Sequence, residues 1–183
     1  MAEAVSGALM AEAANYSAQE FLKDGRPVEI RALRPEDEAE MLAAIERTSP
    51  QSLQRRFFTM KRHFSDSERA FFMQVDFKDH VALAALVRRG DGETIVGGGR
   101  YIVFEPGRAE MAFVVVDAFQ GCGLGSLLMR HLISIARGGG LRELTAEVLS
   151  ENAGMLRVFE RSGFEAGPRR DPQTVHLARR LDS

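Results

Sequence analysis

From Val28 to Leu33 apolar and polar residues alternate (VEIRAL), which predicts a half-buried strand. Pro35 follows, with Glu36, Asp37 and Glu38 behind it. A proline costs no hydrogen bond in the first turn of a helix, and acids suit the positive end of the helix dipole. A helix is therefore expected here, with Met41, Leu42 and Ile45 as its buried face. Ser49–Phe58 reads as a second short helix with Leu53, Phe57 and Phe58 apolar. Ser65 or Asp66 caps a third, which runs through Phe71, Phe72 and Val75. Strands come next: His80–Arg88, Glu93–Phe104 and Arg108–Val116, joined by turns at Gly90-Asp91-Gly92 and Pro106-Gly107. Gly97-Gly98-Gly99 interrupts the second of these strands and predicts a bulge or a close backbone approach.

Beyond Val116 the period changes. Leu124, Leu127, Leu128, His131, Leu132 and Ile135 fall at helical spacing, and the polar stripe is only Ser126, Arg130, Ser134 and Arg137. So apolar a helix is mostly buried. Gly138-Gly139-Gly140 ends it. Leu141–Leu149 reads as a strand, Asn152–Ser162 as a helix stopped by Gly163, and Phe164–Ala166 and Thr174–Leu181 as closing strands. Three consecutive strands should form an antiparallel meander, and the strand–helix–strand near the end a parallel crossover. The class expected is α+β, a mixed central sheet flanked by helices. Residues 27–183 are taken as one domain and residues 1–26 as an extension. This extension is expected to be poorly ordered or loosely helical; the alternative is that Val5, Leu9, Ala13, Tyr16 and Phe21 form an apolar stripe docking on the domain or on a second copy.

Composition narrows the classes. A chain of 183 residues can bury about 70% of its unfolded surface and needs no covalent staple. One cysteine excludes a disulfide framework and any multi-cysteine zinc site, and the four histidines lack metal-ligand spacing, so no metal is expected. A net charge of -2 gives no global reason to expect nucleic acid. No run of about 18 apolar residues predicts a membrane span. The N-terminus has no basic leader region, and Glu3, Glu12 and Glu20 argue against a targeting peptide, so the cytoplasm is the expected compartment.

The chemistry concentrates between Phe113 and Ser126. A buried strand runs into Gln120-Gly121-Cys122-Gly123-Leu124-Gly125-Ser126 and then straight into a buried helix. The first N–H groups of a helix have no internal partner, and the dipole adds partial positive charge there. Glycines let several N–H groups converge on one anion, making a phosphate cradle that needs no Lys or Arg. The alternative is a tight strand-to-helix turn. No GxxxxGK[ST] is present, and GxGxxG fails because its sixth position is Ser126.

Gln120, Gly123 and Gly125 together match the Q-x-x-G-x-G pyrophosphate loop of the GNAT N-acetyltransferase superfamily, which the chain resembles from Val28 to about Leu181. Phe113-Val114-Val115 before the loop, the helix opened by Ser150-Glu151-Asn152 and its end at Ser162-Gly163-Phe164 extend the resemblance. Within the superfamily the chain is most similar to the acyltransferase domain of bacterial protein-lysine acetyltransferases. The segments that carry this are Ile30–Asp37, Ser52–Phe58, Asp79–Leu83, Ile95–Tyr101 and Ala109–Ala112.

The resemblance implies the GNAT fold, acetyl-CoA as donor and an amine as acceptor. It implies that N–H groups of Gly121, Cys122, Gly123, Leu124, Gly125 and Ser126 hold the diphosphate, beside Gln120. Phe113, Val114 and Val115 would flank the pantetheine arm, with a backbone N–H near Val115 on the thioester oxygen and Asn152 on the pantetheine or the thiol end. An unperturbed lysine amine, with a pKa of about 10.4, is protonated at pH 7, so a base is needed. The resemblance points to Glu110; the plainer alternative is a surface glutamate at a strand start. Many family members carry a tyrosine two residues after a position like Arg157 to protonate the leaving thiolate; Phe159 stands there, leaving Ser150 or water for that task.

Other candidates carry weaker roles. Cys122 could be a nucleophile, His80 a second proton relay or a structural residue, and His131 a packed core residue. Arg55 and Arg56 could face an acidic acceptor surface or only solvent. The expected function is direct transfer to a primary amine, most readily a lysine on a protein such as a metabolic enzyme. Alternatives are a small-molecule amine acceptor and a non-catalytic acyl-CoA sensor. A homodimer is compatible with the family.

Overall fold

The computed structural model describes residues 11–57 and 64–181, without the side chains of residues 55–57. Val5, Leu9, Phe58 and His63 lie outside the described residues. The elements are β1 (Ser17–Phe21), β2 (Pro27–Ala32), α1 (Glu38–Glu46), α2 (Pro50–Phe57), α3 (Asp66–Met73), β3 (His80–Arg89), β4 (Gly92–Glu105), β5 (Arg108–Val115), α4 (Leu124–Gly138), β6 (Glu143–Leu149), α5 (Ala153–Arg161), β7 (Glu165–Ala166) and β8 (Thr174–Arg180). The strands form an 8-stranded sheet in the order β1-β2-β3-β4-β5-β6-β8-β7. All pairs are antiparallel except β5 with β6. The fold is α+β, as the element order predicts.

Helices cover both faces. On one, Leu124, Leu128, Met129, Leu132 and Ala136 of α4 are buried against the sheet residues Val96, Tyr101 and Met111. Fully burying a leucine is worth about 1.5–3 kcal/mol, so this one helix supplies much of the core. On the other face, Met41 and Ala44 of α1 pack with Leu33, Ala82, Ala84, Ile95 and Val116.

Both readings of Gly97-Gly98-Gly99 hold. The β3–β4 register shifts between Ala85 and Leu86, beside Gly97. A Cβ on Gly99 would lie 2.7 Å from the Phe113 ring and 2.9 Å from Leu132, so the sheet and α4 approach there closer than a side chain allows. Ser65 caps α3 by accepting from Glu68 N–H at 3.3 Å. Phe164 N–H reaches Phe159 O and Gly163 N–H reaches Glu160 O, the Schellman closure that Gly163, at φ +78°, makes possible.

The sheet begins earlier than the alternation at Val28 suggests. Ser17–Phe21 pairs with Pro27–Arg31 as an edge strand, and helical backbone is confined to residues 11–14 of the described N-terminal segment. Ala13 and Leu22 are buried, whereas Phe21 is 69% exposed. Cross-strand pairing takes over because Leu22 N–H closes on Arg26 O at 2.9 Å around Gly25, whose φ is +85°. The segment is also pinned to α4. Tyr16 O–H bonds to His131 Nδ1, and His131 Nε2 donates to Glu20 at 2.7 Å. Arg130, bonded to the same carboxylate, holds it below the usual carboxylate range. His131 is buried as expected, with both ring nitrogens engaged.

Candidate active site

The cleft arises from a divergence of strands. β5 shares register with β6 only from Arg108 to Glu110, opposite Glu143–Thr145. Beyond that point β5 stays on β4 through Val115, and β6 follows β8 through Leu149. The two strands part like a wedge with Glu110 at its apex. A cleft of about 730 Å³ fills the wedge and runs out to the glycine loop. Val116 N–H is spent on Val96 O at 2.9 Å, and Val115 O accepts from the Gln120 side chain at 3.1 Å. Because hydrogen bonding alternates along a strand, the Val115 and Phe113 N–H groups are directed to the open edge.

At the wide end Gly121 and Gly123 have φ of +74° and +90°, a backbone that side chains resist. Gly123 is the N-cap of α4, with no side-chain cap bond and no acid in the helix's first turn. The first-turn N–H groups of a 15-residue helix therefore face the cleft without a built-in anion, a chemistry that suits a diphosphate. Gln120 braces the loop, its Nε2 also donating to Ser52 Oγ of α2 at 2.9 Å. Asp117 ties the same region down by accepting from Ser49 N–H at 3.0 Å. Burial alone would raise the Asp117 carboxyl, but the bonds from Ser49 and Ser52 hold it below its usual range.

The predicted residues Glu110, Phe113, Val114, Val115, Gln120, Gly121, Gly123, Leu124, Gly125, Ser126 and Asn152 all line this cleft. Asn152 Oδ1 caps α5 by accepting from Met155 N–H at 3.2 Å, which fixes the side chain at the cleft wall. The Cys122 side chain does not line the cleft. It is 8% exposed, turned into the core, and its thiol donates to Phe119 O at 2.6 Å. That placement leaves only its backbone for ligand contact and removes the nucleophile reading.

His80 is also structural. It sits outside the cleft lining, with 7% exposure. Its Nε2 accepts from Arg100 at 2.9 Å, so Nδ1 carries the proton and donates to Gln74 O at 3.0 Å. Burial, then the Arg100 charge, push the imidazole down to about 4, against the opposing pull of Gln74 O and Asp76. Ser150 Oγ is turned to Pro172 O and Gln173 O and is likewise outside the lining. Phe159 lines the cleft with 1% exposure, held edge-on against Phe113 and Phe164 at ring-centre distances of 5.8 and 4.8 Å.

Phe71, Phe72 and Arg100 line the Glu110 side of the cleft, and Lys23, Arg157 and Arg161 also belong to the lining. Neither Arg100 nor Lys23 was predicted as a site residue. Arg55 and Arg56 lie on α2, but their side chains are outside the described residues. Among the described residues, no group of three metal-binding side chains occurs and no helix is long and apolar enough to cross a membrane.

Residues 39–164 match the acetyltransferase (GNAT) family, and the chain belongs to it. It is 37% identical over 163 residues to acetyltransferase PA5475 of Pseudomonas aeruginosa, covering 86% of each chain. The crystal structure of the GNAT domain of S. lividans PAT superposes with a TM-score of 0.82 at 31% identity, covering 90% of this chain and 96% of that one. The fold is shared further by yncA of Salmonella typhimurium, a structure with acetyl-CoA, at a TM-score of 0.68 and 20% identity over 85% of this chain and 94% of that one.

Proposed function

We propose that the wedge takes acetyl-CoA and that the chain transfers its acetyl group directly to a primary amine, in a ternary complex. The observation that carries this reading is the coincidence of three features: an uncapped helix N-terminus, an open strand edge and a carboxylate at its apex. The diphosphate lies on the N–H groups between Gly121 and Ser126. The two amides of the pantetheine arm extend the β5 edge as an added strand. Val115 N–H supports the carbonyl oxygen that gains charge during attack. Glu110 removes a proton from the incoming ammonium, directly or through water. Asn152 contacts the pantetheine or the thiol end. Phe159 has no proton to give, so solvent protonates the departing thiolate.

The acceptor proposed is a lysine side chain on a protein such as a metabolic enzyme. This rests on the resemblance to bacterial protein-lysine acetyltransferases. Phe71, Phe72 and Arg100 beside Glu110 would line the acceptor's path.

The test follows CoA release on incubation with acetyl-CoA and a panel of proteins and small amines. Release on proteins with acetylated lysines supports the whole reading; release only on small amines moves the acceptor class. Tight CoA binding with no release on any acceptor would mean a sensor. Glu110→Gln should lower kcat at neutral pH by about 10²–10⁴-fold while leaving acetyl-CoA affinity within about twofold. An unchanged rate removes Glu110 from the mechanism.

A further inference from the structure

Lys23 stands on the turn between β1 and β2, upstream of residues 39–164, the segment that defines the family match. Its backbone is fastened to the glycine loop, with Lys23 N–H donating to Cys122 O at 3.0 Å. Its stem lies along the loop: a Cβ on Gly123 would be 3.2 Å from Lys23 Cγ and 3.3 Å from Cε. The side chain lines the cleft at the same end as Gly121, Gly123 and Gly125.

The electrostatics of the turn single this residue out. Arg26, the other cation there, is bound to Asp24 and lies 4.4 Å over the Phe119 ring. Lys23 has no ion pair among the described residues. The packed stem holds the Lys23 ammonium at the end of the cleft where the loop's N–H groups would receive an anion. The loop's own N–H groups receive such charge without neutralising it, and an ammonium is a compact point charge that complements phosphate.

We infer that Lys23 is a coenzyme-binding residue: its ammonium pairs with the diphosphate held on the Gly121–Ser126 loop, which makes the β1–β2 hairpin part of the coenzyme site. The inference rests on the proposed use of acetyl-CoA. The hairpin then has a reason to be anchored at both ends, by Tyr16 and Glu20 on α4 and by Lys23 N–H on the loop.

Calorimetric titration of the full chain with CoA, dephospho-CoA and pantetheine tests it. Lys23→Met keeps the stem and the backbone bond and removes only the charge. Its affinity for CoA and for dephospho-CoA should fall equally, about tenfold at low salt, with a smaller loss at high salt. Its affinity for pantetheine should not change, and Lys23→Arg should restore most of the loss. An unchanged CoA affinity in Lys23→Met overturns the inference. So does a loss confined to CoA, since that would assign the lysine to the 3′-phosphate, or an equal loss for pantetheine, since that would mean a distorted cleft. If the unaltered chain binds no CoA at all, the proposed function itself fails.

Discussion

Asp37 and Arg31 form a two-pronged pair beneath the sheet, with Arg31 NH1 2.7 Å from Asp37 Oδ2 and NH2 2.8 Å from Oδ1. Both are buried, at 8% and 4% exposure, and Asp37 also accepts from Arg34 N–H at 2.7 Å. The pair ties β2 to the entry of α1, the helix that roofs one face. Removing Asp37 leaves the buried guanidinium to the half-exposed Glu93 carboxylate, 4.0 Å away, so Asp37→Ala should cost about 3 kcal/mol, the low end for a broken buried pair. Urea unfolding of the two proteins measures it, and a loss under about 1 kcal/mol would mean that water reaches Arg31.

The same pair and His80 make stability fall in acid, in separate windows. Burial alone would raise the Asp37 carboxyl, but bonds from Arg31 and Arg34 outweigh it and hold it below its usual range. A depressed carboxyl stabilises fully above its unfolded value, about 3.9, and the contribution is lost as pH falls through the folded value. His80 acts higher. Its folded value is about 4 and its unfolded value about 6.5, so between them the unfolded chain binds more protons. Stability should therefore decline as pH drops from about 6.5 towards 4, with a further decline below. Urea midpoints at pH 7, 5.5 and 4.5 follow the upper window. His80→Gln, which cannot titrate, should flatten it.

At Gly99 the expected effect is steric. A methyl group would stand 2.7 Å from the Phe113 ring and 2.9 Å from Leu132. Phe113 is backed by Phe159 on one side and borders the cleft on the other, so its ring can yield only into the cleft. Gly99→Ala should cost about 1–3 kcal/mol by overpacking and should weaken CoA binding through the displaced ring. Thermal unfolding and CoA titration report the two effects separately. Gly25→Ala would also cost stability, but through its φ of +85°, with no neighbour in the way.

Most of the sheet was legible because its strands differ so plainly from its helices. Alternation marked β2, a continuous apolar run marked β3, and the 3.6 period marked α4. The glycine loop was legible because positive φ demands glycine at Gly121 and Gly123. β1 was hidden. Ser17-Ala18-Gln19-Glu20-Phe21 buries little, and its placement depends on partners far along the chain, Arg130 and His131. The Asp24-Gly25 dipeptide just before Pro27 was the available signal, since such a pair favours a hairpin turn. Reading it would have put Lys23 at a hairpin tip, but the packing of that tip on the glycine loop is a tertiary contact that no local signal carries. The inward turn of Cys122 and the distance of His80 from the cleft were not legible, since both follow from tertiary packing.

Phe159 supplies the remaining test, because the resemblance leads one to expect a proton-donating tyrosine at its place. Its ring is 1% exposed and fixed between Phe113 and Phe164, yet it lines the cleft wall. In Phe159→Tyr the added hydroxyl enters this apolar contact, and without a partner it costs about 1–3 kcal/mol. For a chain of this size each kcal/mol lowers Tm by about 2–4 °C. If the hydroxyl faces the place where the thiol lies, bound CoA gives it a partner, and the Tm deficit should shrink in CoA-saturated protein. A CoA thiolate is already a tolerable leaving group, so kcat should rise by no more than a few-fold. Thermal unfolding with and without CoA, beside steady-state kcat, separates the cases. A Tm deficit that CoA leaves unchanged, together with an unaltered kcat, would show that position 159 serves packing and never meets the sulfur.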